Sequence, residues 1–341
     1  MIPIIDIAPL VGGDAAEELD DVVKSIANAC ETYGFFAIIN HGVDTAIIND
    51  AWNASQDFFD MESSVKQSVK MTDDYPYGYE NYESLGISNA DNTIQNTLSP
   101  DSKETFSLGP NSELSNMPPR KFPMNASSNF APATSRYYSA MEDLAKILFR
   151  GFAMALKLPP SWFLQDGRFD DGHQCALRIL NYPELEYVQK DASAVHIRAG
   201  AHTDYGAMTI LKSGGPGLQL QLSKDKESSR WIDVPHLEDS FIINLGDLMQ
   251  RWTNDKWSST LHRVVATDSN ADDTTCDDEE RLFRSARRQS IAFFVNMNGD
   301  TTVMPLETCV DEAHPCKYAP IKASEHLIQR HNQSMANKQK K

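Results

Sequence analysis

Cysteine is scarce and scattered: five residues in 341, at positions 30, 175, 276, 309 and 316, with no C-x-x-C pair. A disulfide-stapled framework is therefore not expected, and the five read as reduced thiols of a cytoplasmic protein. No stretch approaches the roughly 20 apolar residues that a membrane-spanning helix needs. The N-terminus, MIPIIDIAPL, carries no basic leader and no small-residue cleavage site, and is expected to form the first strand of the mature fold. Positive charge is also short. Thirty-one Lys plus Arg against 48 Asp plus Glu leave a formal charge of −17, which disfavours a grip on nucleic-acid phosphate or an anionic membrane surface. The expected partner is a small molecule, with no nucleic acid, no membrane and no obligate protein partner.

The length allows a sizeable core, and the patterning divides the chain. Between Asp14 and Tyr33, Val22, Val23, Ile26, Ala27 and Cys30 recur at helical steps, and Gly34 ends the run. FFAIIN then reads as a strand, and residues 44–70 as helical. Residues 72–130 are rich in Tyr, Asn, Ser, Asp and Pro and predict a long surface excursion with short elements. A long helix is expected from about Thr134 to Leu158. After Gln174 come seven short β-rich runs, CALRILNY, AMTILK, GLQLQL, RWIDV, SFIINL, TLHRVV and QSIAFFVN, which suggest a sandwich or barrel. The acidic stretch 268–280 reads as a solvated loop. The whole is expected to be one catalytic unit: a mainly helical part over 1–170, a β core over 171–300 and a helical tail over 301–341.

Within HTDYGAMTIL, His202 and Asp204 stand two apart at what reads as the start of a strand, so both point to one face. His262 in STLHRVV offers a third ligand from a neighbouring strand. Two imidazoles and a carboxylate on one side of a metal leave positions open, an arrangement suited to ferrous iron and O₂. Arg288 and Ser290 open an otherwise apolar strand and face the same way, a fork and a hydroxyl suited to a carboxylate in a poorly solvated pocket. Arg178, Arg198 and His196 are the candidate substrate contacts. His41, His173, His236 and His314 read as structural or exposed. Asn244, Gly246, Asp247 and Asn254 read as shaping turns.

The order His-x-Asp, His, Arg-x-Ser resembles the Fe(II)/2-oxoglutarate dioxygenases of the isopenicillin-N-synthase-like family. IPIIDIAPL, GFFAIINHG, RAGAHTDYGAMTIL, WIDVP, INLGDLMQRWTNDKWSSTLHRVV and RQSIAFFVN all fall in the family's order. The resemblance implies a mixed α and β fold, a double-stranded β-helix (jelly roll) with flanking helices, its N-terminal dioxygenase segment covering about 1–120. It implies iron on His202, Asp204 and His262, and the distal carboxylate of 2-oxoglutarate on Arg288 and Ser290 with Tyr182 beside them. Plant members often read Asn-Tyr-Tyr-Pro where this chain has Leu180 in place of the Asn, a departure that weakens the transfer of plant substrate classes while leaving Tyr182 in place.

The implied reaction uses Fe(II), 2-oxoglutarate and O₂, with ascorbate as an expected stimulant, and yields succinate and CO₂. Hydrogen abstraction from a C–H bond of a small specialised metabolite would give hydroxylation, desaturation or ring closure. One rival is an isopenicillin-N-synthase-type oxidase that uses O₂ without 2-oxoglutarate. The other is a catalytically inactive binding module.

Overall fold

The computed structural model describes residues 1–12, 16–81, 103–111, 117–124, 129–189, 195–222, 230–268 and 281–339. Cys276, most of the acidic stretch 268–280 and much of 72–130 lie outside these residues; Cys30, Cys175, Cys309 and Cys316 are free thiols.

Two sheets form the core. The larger has eight strands in the order Ile4–Asp6, Phe35–Ile39, Phe241–Leu245, Met208–Ser213, Arg288–Val295, Ala176–Tyr182, Glu104–Leu108 and Gly78–Asn81. The smaller has four, Arg230–Asp233, Leu218–Leu222, His262–Val265 and Ile197–His202. This is the jelly roll expected. Each of the seven predicted strands is present, and the short strands Leu185–Gln189, Ile197–His202 and Arg281–Ser285 add to them.

Alternation along the Arg288 strand explains how the sheets enclose a site. Ile291, Phe293 and Val295 point into the main apolar core, whereas Arg288, Ser290, Ala292 and Phe294 line an internal cavity. The neighbouring strand behaves likewise, with Leu177 and Ile179 in the core and Ala176, Arg178, Leu180 and Tyr182 on the cavity.

The helix Phe130–Ala155 covers the core side of the large sheet. It buries Tyr137, Tyr138, Leu144, Leu148, Phe149 and Phe152, and Tyr138 meets Phe293 edge-on at 5.0 Å between centroids. Each such aromatic contributes about 1.5–3 kcal/mol through burial. The helix Ala16–Thr32 packs beside it through Val22, Ile26, Ala29 and Cys30. Gly34 terminates that helix with φ +63°, its N–H donating to Ala29 O, and a Cβ there would lie 2.0 Å from Ser258 O.

The N-terminal half begins as its sequence reading expects, with the strands Ile4–Asp6 and Phe35–Ile39 each followed by helix. Up to residue 170 it is helical over long spans but also supplies four of the eight strands of the large sheet. Two of these, Gly78–Asn81 and Glu104–Leu108, come from the stretch read as a surface excursion. The polar composition there misled, because Thr105 and Ser107 are buried in the sheet rather than solvated. The C-terminal helix Ala323–Gln339 returns to the site, bringing Leu327 and His331 to the cavity wall. Among the described residues no helix is long and apolar enough to cross a membrane.

Candidate metal and 2-oxoglutarate site

His202 ends its strand and stands directly opposite His262, the first residue of its own, in an antiparallel ladder, so two imidazoles share one end of the small sheet. Their ring centroids are 4.3 Å apart. Asp204 lies in the connection to Met208–Ser213, not at the start of a strand as the sequence suggested. Strand alternation therefore does not aim it. Instead the Thr209 hydroxyl and the Asn244 amide both donate to its Oδ2, the latter at 2.7 Å. Oδ1 is left facing His202 Nε2 at 3.8 Å and His262 Nε2 at 3.9 Å.

Those separations exceed a hydrogen bond, so the three groups converge without satisfying one another. One ligand atom from each lies within 4.8 Å of the others. His202 Nδ1 meets Gly200 O at 2.7 Å and His262 Nδ1 meets Thr260 O at 3.0 Å, which puts the proton on Nδ1 and leaves the Nε2 lone pair for a metal. Burial pushes the Asp204 carboxyl upward, but the adjacent His262 and His202 and the two donors outweigh it and hold the group below its ordinary value. Burial, reinforced by the neighbouring His202, lowers His262 to about 4, so its imidazole is neutral at pH 7. Two imidazoles and one carboxylate fit a divalent cation of the ferrous kind.

Asn244 corrects the sequence reading of a turn former. It sits within the fully buried strand Phe241–Leu245 and orients a ligand, and its signal was a lone amide in the apolar run FIINL. Asn244→Ala is expected to weaken ferrous binding about 10- to 100-fold, the usual effect of losing an outer-shell partner. An iron titration giving the wild-type constant would count against that role. Gly246 is not a left-handed turn residue; a Cβ there would lie 2.2 Å from Gly206 O. Asp247 accepts from Thr203, between the two ligands, and pairs with Arg330 of the C-terminal helix at 2.6 Å. Asn254 has φ +54° and its amide ties down the 309–317 segment, a structural role.

Arg288 lies at the other end of the cavity, 7% exposed. Its Nη2 donates to Ser213 Oγ at 2.8 Å, its Nε to Pro216 O at 3.1 Å, and its Nη1 approaches Ser290 Oγ at 3.4 Å. Tyr182 is its register partner on the adjacent strand, with the ring centroid 5.3 Å from the guanidinium. Among the described residues no carboxylate pairs with Arg288. Such a cation, with a hydroxyl and a phenol beside it, fits one end of a dicarboxylate.

The substrate candidates separate. Arg178 lines the cavity and donates to Ser107 Oγ at 3.1 Å; Arg198 and His196 do not line it. Arg198 is 1% exposed behind the wall, its three guanidinium nitrogens without hydrogen-bond partners. Burial, aided by the nearby Arg288, lowers its pKa to about 10. Two of the histidines read as structural or exposed meet carboxylates away from the site: His173 meets Glu142 at 2.7 Å and His314 meets Asp311 at 2.9 Å. Sequence reasoning missed Tyr77, Lys103, Leu327 and His331, all on the cavity wall.

Two family models match the chain. Residues 2–129 match the N-terminal segment of non-haem dioxygenases of the kind named for morphine synthesis, and residues 174–297 match the 2OG-Fe(II) oxygenase superfamily. A homoarginine-6-hydroxylase of Oryza sativa subsp. japonica, 2-ODD-233, is 30% identical, with 96% of each chain covered. The chain belongs to the 2OG-Fe(II) oxygenase superfamily. The 2-oxoglutarate-dependent dioxygenase caaD of Aspergillus niger is 30% identical over 77% of this chain and 79% of the fungal one. A full-length Neurospora crassa protein, solved with alpha-KG and thymine, superposes with a TM-score of 0.78 at 25% identity, covering 97% of this chain and 96% of the Neurospora one.

This oxygenase is thus an oxidoreductase that depends on Fe(II) and 2-oxoglutarate and acts on a small molecule. The oxidase that dispenses with 2-oxoglutarate is not favoured, because relatives are named for that cosubstrate and the Neurospora protein was solved with it.

Proposed function

We propose that His202, Asp204 and His262 hold the iron, that Arg288, Ser290 and Tyr182 hold the distal carboxylate of 2-oxoglutarate, and that the enzyme hydroxylates a small specialised metabolite. The observation that carries this reading is the pairing, within one cavity of about 340 Å³, of a convergent His-Asp-His set with a buried Arg lacking a carboxylate partner among the described residues. The iron, when bound, supplies the O₂ chemistry that removes hydrogen from a C–H bond.

The chain's own groups do the rest. Gly200 O and Thr260 O fix the imidazole tautomers, and Thr209 and Asn244 hold Asp204 with one oxygen inward. Ala199, Leu211, Leu218 and Val264 give the cavity an apolar wall that limits water near the reacting centre. Hydroxylation is preferred over desaturation or ring closure as the default outcome after hydrogen abstraction. Soluble cytoplasmic action without a nucleic-acid, membrane or obligate protein partner is part of the same proposal, supported by the charge of −17.

The test is anaerobic addition of Fe(II) and then 2-oxoglutarate to purified protein. A visible metal-to-ligand band is the expected result, followed by succinate release on admitting O₂. Iron binding without a band would remove the 2-oxoglutarate assignment and return the oxidase reading to first place.

A further inference from the structure

We infer that Arg198 is a second, hidden cation of the 2-oxoglutarate anchor, a positioning residue that strengthens the hold on the distal carboxylate through its field at Arg288 rather than by contact. The inference deepens the proposed placement of that carboxylate at Arg288 and rests on it.

Arg198 lacks what a buried arginine normally has. It is 1% exposed, and its Nε, Nη1 and Nη2 have no hydrogen-bond partner among the described residues. Arginine is almost never fully buried unless paired, because an uncompensated guanidinium gives up its water for nothing. The titratable groups that bear on it are Arg288, Tyr182 and His196, and none is a carboxylate. Packing alone does not account for the residue, since an apolar side chain of similar volume would fill the place without the desolvation penalty.

Register brings the two arginines near each other. Arg288 Nε donates to Pro216 O at 3.1 Å, and the next carbonyl, Gly217 O, accepts from Val265 N at 2.8 Å. Val265 stands opposite Ile197, the chain neighbour of Arg198. The Arg288 fork therefore lies about two strand spacings, roughly 10 Å, from the backbone of Arg198. Tyr182, the register partner of Arg288, acts on both guanidinium groups, and after burial the charge of Arg288 is the main influence that depresses Arg198.

Two buried cations with no described carboxylate between them favour one added negative charge. Arg288, with Ser290 and Tyr182, makes the contact from the cavity side; Arg198, behind the wall, adds attraction without a bond. A unit charge at roughly 10 Å and an effective dielectric constant of about 20 changes affinity on the order of tenfold. Without the carboxylate the same two charges repel, so Arg198 lowers the stability of the free protein and 2-oxoglutarate relieves it.

The experiment uses the whole protein with Fe(II) under anaerobic conditions. The visible band is titrated with 2-oxoglutarate and, separately, with 2-oxobutanoate, which has the same keto-acid end but no distal carboxylate. Arg198→Met and Arg198→Gln are each expected to raise half-saturating 2-oxoglutarate about tenfold while leaving 2-oxobutanoate and ferrous binding within about twofold. The Gln variant keeps a polar end, so the test does not depend on the apolar replacement folding. Arg198→Lys keeps the charge and should stay within about threefold of the wild type. The thermal midpoint without either oxo acid should rise by about 2–4 °C in Arg198→Met. Unchanged 2-oxoglutarate affinity in a folded charge-free variant, equal losses for the two oxo acids, or a midpoint that falls in Arg198→Met would each overturn the inference. Arg288→Ala tests the underlying reading: wild-type 2-oxoglutarate binding there strikes the anchor itself, whereas loss there with none at Arg198 strikes only the inference.

Discussion

His202→Ala is expected to abolish tight ferrous binding and, with it, the visible band that 2-oxoglutarate produces. Loss of a direct ligand should exceed the roughly 10- to 100-fold effect of losing an outer-shell partner. Of the three ligands this one gives the cleanest test. Its side chain is 36% exposed, so truncation removes a donor while stranding little. Asp204→Ala would instead leave the Thr209 hydroxyl and the Asn244 amide buried without their acceptor, at a cost of about 1–3 kcal/mol each. His262→Ala would open a hole beside Phe35, whose ring lies 5.3 Å away edge-on. A ferrous titration of the folded His202→Ala protein is the measurement. Retained iron with an unchanged band would end the ligand assignment.

The parts of this site visible in the sequence are those that strand periodicity controls. Arg288 and Ser290 are two apart on a true strand, and both reach the cavity as period-two alternation requires. His262 was legible as a strand residue, and the ladder sets it opposite His202. The pairing of His202 with Asp204 was found for a reason that does not hold, since Asp204 lies between strands and is aimed by Thr209 and Asn244. Such side-chain bonds join positions 5 and 40 residues from Asp204, and no local pattern encodes them.

The remaining gaps have the same origin. Arg198 and Arg178 were equivalent by sequence, each a cation able to meet a substrate carboxylate. The bulge in the pairing of His262–Val265 with Ile197–His202 breaks simple alternation, and Arg198 falls behind the wall while Ala199 and Gly200 line it. Lys103 and Tyr77 come from a polar stretch whose composition imitates a loop, yet Glu104–Leu108 pairs with Ala176–Tyr182 along its length. Sheet partners that distant are chosen by the closed fold rather than by the segment's own residues.

Arg288→Ala is expected to weaken 2-oxoglutarate by about 2–5 kcal/mol, on the order of 30- to several-thousand-fold, while sparing iron. The guanidinium is buried, so its bond to an arriving carboxylate forms away from water and is poorly screened. Arg198 makes the result more discriminating. Its buried charge lies close enough to Arg288 for each to disfavour the other, and an anion at Arg288 relieves both. Removing Arg288 therefore takes away a like-charge neighbour as well as a ligand contact, and the free protein need not lose stability in proportion to the lost affinity. Arg288→Lys keeps the charge but not the planar fork toward Ser213 and Pro216 O, and should fall between the two. Titrating the band with 2-oxoglutarate, alongside thermal unfolding of each variant without it, separates these effects. Unchanged 2-oxoglutarate affinity in Arg288→Ala would sink the anchor assignment. A loss in both variants, with iron binding intact, would locate the distal carboxylate at this end of the cavity.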